Sequence, residues 1–251
     1  MTGPGRFLTA QWRHLAMLNY AVDPEVLAPH VPVGTELDSW QGTTYVSVVG
    51  LMFLRTRVLG LAIPFHCNFP EVNLRFYVRR PGRAGEPHVD ADGHKRGVVF
   101  IKEIVPRAAI ALVARVVYGE AYVALPMRSR VALATEGARV HGRVGYDWRL
   151  GRDWHGLDLD IDGVPAALTP GSEAEFITEH YWGYAGGSGR TLEYRVEHPP
   201  WRVWPATGAA LRCNAAALYG SEFAAALAGP PRSAFLAEGS EVAVHKGRPP
   251  N

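Results

Sequence analysis

The sequence predicts an α+β fold that is mainly antiparallel β, with a few short helices. Three observations carry this. Over residues 69–78 the even positions (Val72, Leu74, Phe76, Val78) are apolar and the odd ones (Glu71, Asn73, Arg75, Tyr77) polar, and a period of two is that of a strand, whose side chains leave alternate faces. Apolar, β-branched runs of strand length recur at 43–54 and 98–105, bounded by turn-forming residues. The 27 glycines and 19 prolines favour many short strands and turns over long helices.

In chain order, residues 1–6 read as a flexible tail and 7–251 as one domain, since no linker or repeat divides them. Residues 12–22 make a strand. Asp23-Pro24 then starts a short helix, with Asp as N-cap and Pro in the first turn. After the strands at 43–54 and 69–78, the Gly-, Pro- and charge-rich segment from Arg80 to Arg96 reads as a long hairpin loop into the strand at 98–105. Residues 108–118 have helical composition and stop at Gly119. Strands and turns fill 122–150, with a hairpin tip at Glu136-Gly137, followed by a strand at 157–161 and a turn at Asp162-Gly163. Ser172-Glu173-Ala174-Glu175 is a capping box that opens a helix over 173–179. Gly186-Gly187-Ser188-Gly189 is a hairpin loop, because a phosphate loop needs a following Lys-Ser/Thr and helix. Strands follow at 191–198 and 201–204, Asn214 caps an Ala-rich helix continued or restarted over 221–227, and the last strand covers 240–246.

Composition narrows the function. A 47% hydrophobic, 20% charged chain of net charge +2 is that of a globular protein, and its scattered arginines leave no footprint for nucleic acid. No apolar run reaches the ~18 residues that span a bilayer, and the first residues lack a signal-peptide pattern. Cys67 and Cys213 have neither metal spacing nor the look of a disulfide scaffold, so a cytoplasmic protein with free thiols is expected. No metal or cofactor is expected. His66, Cys67 and Glu71 do not converge on an extended chain, and no paired-histidine helix or nucleophile elbow is present.

The polar face of 69–78 sets Glu71, Asn73 and Arg75 in a row, and it is either solvated or the wall of a pocket. The run at 98–105 bears on that choice. It carries Lys102 and Glu103 inside core-like composition, and buried charge is costly unless paired or facing a wet cavity. If the two strands pair, one of these charges shares a face with Glu71, Asn73 and Arg75. Of the three lysines, Lys95, Lys102 and Lys246, only Lys102 has an environment that would favour a neutral, imine-forming amine. The alternative is a structural lysine paired with a carboxylate such as Glu71.

Several segments then resemble a known family. Residues 19–24 (Asn-Tyr-Ala-Val-Asp-Pro), 69–78 (Phe-Pro-Glu-Val-Asn-Leu-Arg-Phe-Tyr-Val), 97–100 (Gly-Val-Val-Phe), 179–184 (Glu-His-Tyr-Trp-Gly-Tyr), 197–201 (Glu-His-Pro-Pro-Trp) and 218–223 (Leu-Tyr-Gly-Ser-Glu-Phe) look like an uncharacterised bacterial family of the acetoacetate decarboxylase-like superfamily. The resemblance covers nearly the whole chain and implies a curved sheet closing into a cone or barrel-like form around a pocket. It does not carry the decarboxylase reaction. Those enzymes place their Schiff-base lysine in a Pro-Lys-Lys stretch after an Arg-Glu; here Lys102-Glu103 is followed by Pro106-Arg107-Ala108, and Ala108 takes the lysine position.

The sequence therefore points to an enclosed polar pocket that binds or converts a small organic acid or carbonyl compound; as an enzyme it would be lyase-like, acting on a keto acid. Glu71 and Lys102 are the candidate catalytic residues, and Arg75, Asn73, Tyr77, Glu103, Tyr181 and His198 the candidate substrate contacts. The competing class is a non-catalytic ligand-binding or interaction protein whose polar cluster is structural. No nucleic acid or membrane partner is expected.

Overall fold

The computed structural model describes residues 5–83, 85–187 and 190–250. The first strand, β1 (Arg6–Ala21), leads into a one-turn helix, α1 (Pro24–Leu27), and a short 3-10 turn. There follow β2 (Glu36–Leu37), β3 (Tyr45–Val58), β4 (Phe69–Pro81) and β5 (His94–Val105). The helix α2 (Ala108–Tyr118) precedes β6 (Tyr122–Ala124), β7 (Met127–Glu136), β8 (Arg139–Leu150) and β9 (Asp153–Gly163). Beyond them lie α3 (Glu173–Thr178), β10 (Trp182–Gly187), β11 (Arg190–Glu197), β12 (Val203–Arg212), α4 (Ala215–Tyr219), α5 (Ala224–Leu227) and β13 (Ser233–His245).

Pairing closes the strands on themselves. The order β1-β3-β4-β5-β10-β11-β13 returns to β1, which pairs with β13 along nearly its whole length. The contacts are antiparallel except that β10 lies parallel to β5, with Trp182 opposite Gly97. A side chain at Gly97 would put its Cβ 2.6 Å from the Trp182 carbonyl oxygen, so this strand junction requires glycine. β13 also branches the sheet. Its Val244 end pairs with β11 and completes the ring, while its Phe235–Ala237 end pairs with β12 and continues into β9, β8 and β7.

The period of two thereby serves two interiors. Leu18, Val48, Leu74 and Phe76 leave the ring outwards and pack against Val144, Tyr146, Trp148 and Leu159 of the second sheet. Leu15, Val49, Leu51 and Val98 point into the ring, where α3 adds Phe176 and Ile177. The helix caps follow the sequence reading. Asp23 accepts from the Glu25 amide, Ser172 from the Glu175 amide and Asn214 from the Ala217 amide, and Gly119 ends α2 in the left-handed region. Glu175 Oε2 in turn accepts from the Gly171 amide, one residue before the cap.

Several boundaries differ from expectation. β1 already begins at Arg6; residues 1–4 of the expected tail lie outside the described residues. The expected 80–96 loop shrinks to 82–93, because β4 and β5 remain paired as far as Pro81 opposite His94. Asp162-Gly163 is the end of β9 and not a turn, with Asp162 held by Arg139 across the strands. The last strand starts at Ser233, earlier than the alternation at 240–246 suggests, since it is paired on both sides. Of the glycine-rich hairpin, Gly186 and Gly187 belong to β10, and Ser188 and Gly189 lie outside the described residues.

Candidate functional site

The ring encloses a cavity of about 230 Å³, walled mainly by apolar side chains and entered by the polar row of β4. Glu71, Asn73 and Arg75 all line it, two residues apart on the inward face. Opposite them on β3 stand Leu51, Val49 and Ser47. On the other side, Asn73 faces Glu103 and Arg75 faces Phe100.

A β-bulge decides which charge of β5 enters the cavity. The register shifts between the Leu74–Lys102 and Arg75–Phe100 pairs, leaving Ile101 as an extra residue. Such an insertion resets the alternation. Val98 and Phe100 point inwards, Ile101 packs on the outer core, and Glu103 comes in again. Lys102 is consequently turned out of the ring, where its Nζ donates to the Leu218 carbonyl. None of the three lysines lines the cavity.

Three carboxyl groups meet on this wall. Glu71 and Glu103 are almost wholly buried at 3% and 1% exposure, and Glu120, just beyond the α2 cap, completes the group. Asn73 Nδ2 donates to Glu71 Oε1 at 3.0 Å, and the Tyr122 hydroxyl to Glu71 Oε2 at 3.3 Å. The Tyr194 hydroxyl donates to Glu120. Tyr194 reaches it by crossing Gly183, where any Cβ would fall 2.1 Å from the ring. Desolvation pushes Glu71 up to about 7 against the pull of Asn73, Tyr122 and Arg75. Burial also pushes Glu120 up to about 7, opposed by Tyr194 and assisted by the Glu71 charge. Glu103 lies well above the usual carboxylate range, through burial and then the charges of Glu120 and Glu71. The Glu71 charge raises both of the others, so the titrations of the three are linked.

The other pole of the cavity is cationic or neutral. Arg75 donates from Nη2 to the Ile177 carbonyl at 3.0 Å, and its Nε is buried without a hydrogen bond. The carbonyl belongs to α3, whose buried Phe176 and Ile177 fix the chain that delivers His180. His180 is 6% exposed, and neither ring nitrogen meets hydrogen-bond geometry with a described residue. Burial, followed by the charges of Arg96 and Arg75, holds it well below the ordinary histidine range; the nearby Ile177 carbonyl opposes the shift. His198 lines the cavity beside it and is likewise lowered by burial.

Of the residues singled out from sequence, Glu71, Asn73, Arg75, Glu103 and His198 line this cavity. Three do not. Lys102 is excluded by the bulge. Tyr77 lies behind the wall, its hydroxyl 2.6 Å from Ser47 Oγ and its ring 4.7 Å from that of His180, so it supports the histidine. Tyr181 is stacked between His88 and His198, its hydroxyl bound to Glu179. Glu120, Tyr122, His180 and Tyr194 were not legible as site residues. Tyr194 and His198 do share the inward period of β11, and His180 sits in a motif that carries the family resemblance. Among the described residues, no three histidine, cysteine or acidic side chains are arranged to hold a metal ion.

The closed ring of strands is an acetoacetate decarboxylase-like fold. The solved structures agree. The enduracididine biosynthesis enzyme MppR, complexed with pyruvate, superposes with a TM-score of 0.65 at 15% identity, covering 99% of this chain and 91% of that one. Acetoacetate decarboxylase from Legionella pneumophila gives 0.61 at 13% identity, over 100% and 88%. An acetoacetate decarboxylase-like enzyme from Sphingomonas wittichii RW1 gives 0.60 at 11%, over 98% and 94%. Residues 9–241 match the model of DUF2071, described as an uncharacterized conserved protein, and the chain belongs to that family. It is also 37% identical to YqjF of Bacillus subtilis over 91 residues, an alignment spanning 36% of this chain and 37% of that protein. No helix among the described residues is long and apolar enough to cross a membrane.

Proposed function

We propose that the cavity binds and converts a small organic acid or carbonyl compound without an imine-forming lysine. The observation that carries this reading is the meeting, in one enclosed cavity, of Arg75 with a carboxyl group, Glu71, raised to about 7. Arg75 keeps a buried nitrogen without a partner, and a guanidinium short of acceptors is a seat for a carboxylate. Glu71 has both protonation states available near neutral pH, as a group that gives and takes a proton must. Glu103 and Glu120, coupled to it, hold further protons beside the reacting centre. The complex of the similar MppR fold with pyruvate supports the choice of ligand class.

The test is a thermal-shift titration with pyruvate and acetoacetate, paired with borohydride treatment and mass spectrometry. Saturable stabilisation is expected, lost in Arg75→Gln, with no borohydride-trapped adduct. Stabilisation that survives Arg75→Gln, or an adduct on a lysine, would contradict the reading. Proton NMR of the mixture separates conversion from binding: consumption of the acid that is lost in Glu71→Gln is expected, and a saturated acid that persists unchanged identifies a binding protein.

A further inference from the structure

The polar pole occupies only part of the cavity. An apolar cavity of about 150 Å³ accommodates benzene, and this one measures about 230 Å³. Pyruvate is no larger than benzene. Seated with its carboxylate on Arg75 and its carbonyl towards Glu71, it would leave uncovered the wall formed by Trp12, Leu15, Leu51, Phe53 and Ile63. That wall is carbon-lined apart from the buried Trp12 indole N–H, which has no hydrogen-bond partner among the described residues: Leu51 stands directly across from Glu71, and Phe53 stacks on Phe69 at 4.8 Å.

A second observation concerns the way in. Ile63 and Val113 line the cavity and are still 45% and 42% exposed, so they stand where it opens. Their segments, the loop at 59–65 and the helix α2, also carry Leu59, Leu61, Phe65 and Val116, each at least 70% exposed. The two segments that border the opening thus carry much of the exposed large apolar surface among the described residues, and such concentration marks a surface that meets apolar material.

We infer that the ligand is an oxo acid carrying an apolar alkyl or aryl substituent of roughly four to eight carbons, which passes between the 59–65 loop and α2 and lies against the β1–β3 wall. This rests on the Arg75-centred reading above and adds the apolar end to it. The carboxylate takes Arg75, the carbonyl faces the acids, and the substituent covers Leu51, Phe53 and Trp12. His180, buried and neutral beside Arg75, offers one further donor or acceptor to the acid end.

The experiment is calorimetric titration of the full chain with pyruvate, 2-oxohexanoate and phenylpyruvate, plus phenylacetone as the analogue without a carboxylate. The substituted acids are expected to bind at least about tenfold more tightly than pyruvate, as burial of an added apolar group of this size implies, and phenylacetone much more weakly than phenylpyruvate. Ile63→Ala, at a half-exposed position, is expected to narrow the phenylpyruvate-to-pyruvate ratio; Leu51→Trp, which fills the wall, is expected to reverse it. Pyruvate binding as tightly as the substituted acids would overturn the inference and leave the Arg75-centred reading standing. Phenylacetone binding as tightly as phenylpyruvate, or no acid binding at all, would overturn both. An unchanged ratio in folded Ile63→Ala and Leu51→Trp would place the substituent elsewhere and overturn the inference.

Discussion

Two strands, β4 and β5, carry charge on both faces, and the buried groups that gather on the two sides are built differently. Outside the ring, Lys95 Nζ lies 2.6 Å from Glu193 Oε1, Arg80 Nε lies 2.6 Å from Glu193 Oε2, and Glu86 approaches both cations at 3.5–3.6 Å. The lysine also stands 3.4 Å over the Trp182 ring. Two cations meet two carboxylates, and none of the four borders the cavity. Inside, three carboxyl groups meet a single guanidinium that is partly engaged by a backbone carbonyl, and all four face the cavity. Buried charge alone does not mark a site. A balanced group has its charge compensated from within, even though Arg80 Nη2 makes no hydrogen bond, whereas an unbalanced one beside a void needs protons or a ligand to be tolerated.

The comparison breaks most severely at Glu193. Removing it by Glu193→Ala leaves Lys95 and Arg80 buried without their main partner, and a loss of ~3–5 kcal/mol is expected in urea unfolding. The inner group is expected to behave in the opposite sense. Glu71 binds its proton up to about pH 7 in the folded chain, against 4.5 as its ordinary value. Between those values the folded state holds more protons than the unfolded chain, so stability falls as pH rises through this interval and levels off above it, by on the order of 3 kcal/mol for such a shift. Glu71→Gln is expected to flatten that slope and to be more stable than the parent protein at pH 8. Denaturation curves at pH 5, 6, 7 and 8 check this, and a parent profile that rises from pH 5 to 8 would contradict it. The smallest effect is expected at Lys102. Lys102→Met loses one hydrogen bond to the Leu218 carbonyl, worth about 1 kcal/mol, and leaves ligand-induced stabilisation as it was. Loss of that stabilisation would return Lys102 to the site.

The asymmetry was only half legible in the sequence. Alternation over β4 set Glu71, Asn73 and Arg75 on one face because both faces of that strand are packed and the extra residue of the β4–β5 bulge lies on β5. The choice between Lys102 and Glu103 turned on the bulge at Ile101, which no local pattern announces. Lys95 read as a loop residue because its neighbours are polar, yet it is wholly buried; its partner Glu193 is distant in sequence, and only the ring closure joins them. Glu120 follows a helix stop, and its burial comes from β4, β5 and β11 together. Secondary structure was legible where caps and periodicity are local, and the site was legible where one strand supplies it.

On this reading the inner carboxyl groups remain partly protonated at neutral pH. Carbon-13 NMR of glutamate carboxyl resonances, followed from pH 4 to 9 in the ligand-free protein, tests it most directly, with Glu71→Gln, Glu103→Gln and Glu120→Gln used for assignment. Glu71 and Glu120 are expected to titrate as a coupled set centred at about 7, with Glu103 above the usual range. If all three resonances instead titrate below pH 5, the inner group is an ordinary set of carboxylates and Glu71 holds no proton to exchange at neutral pH.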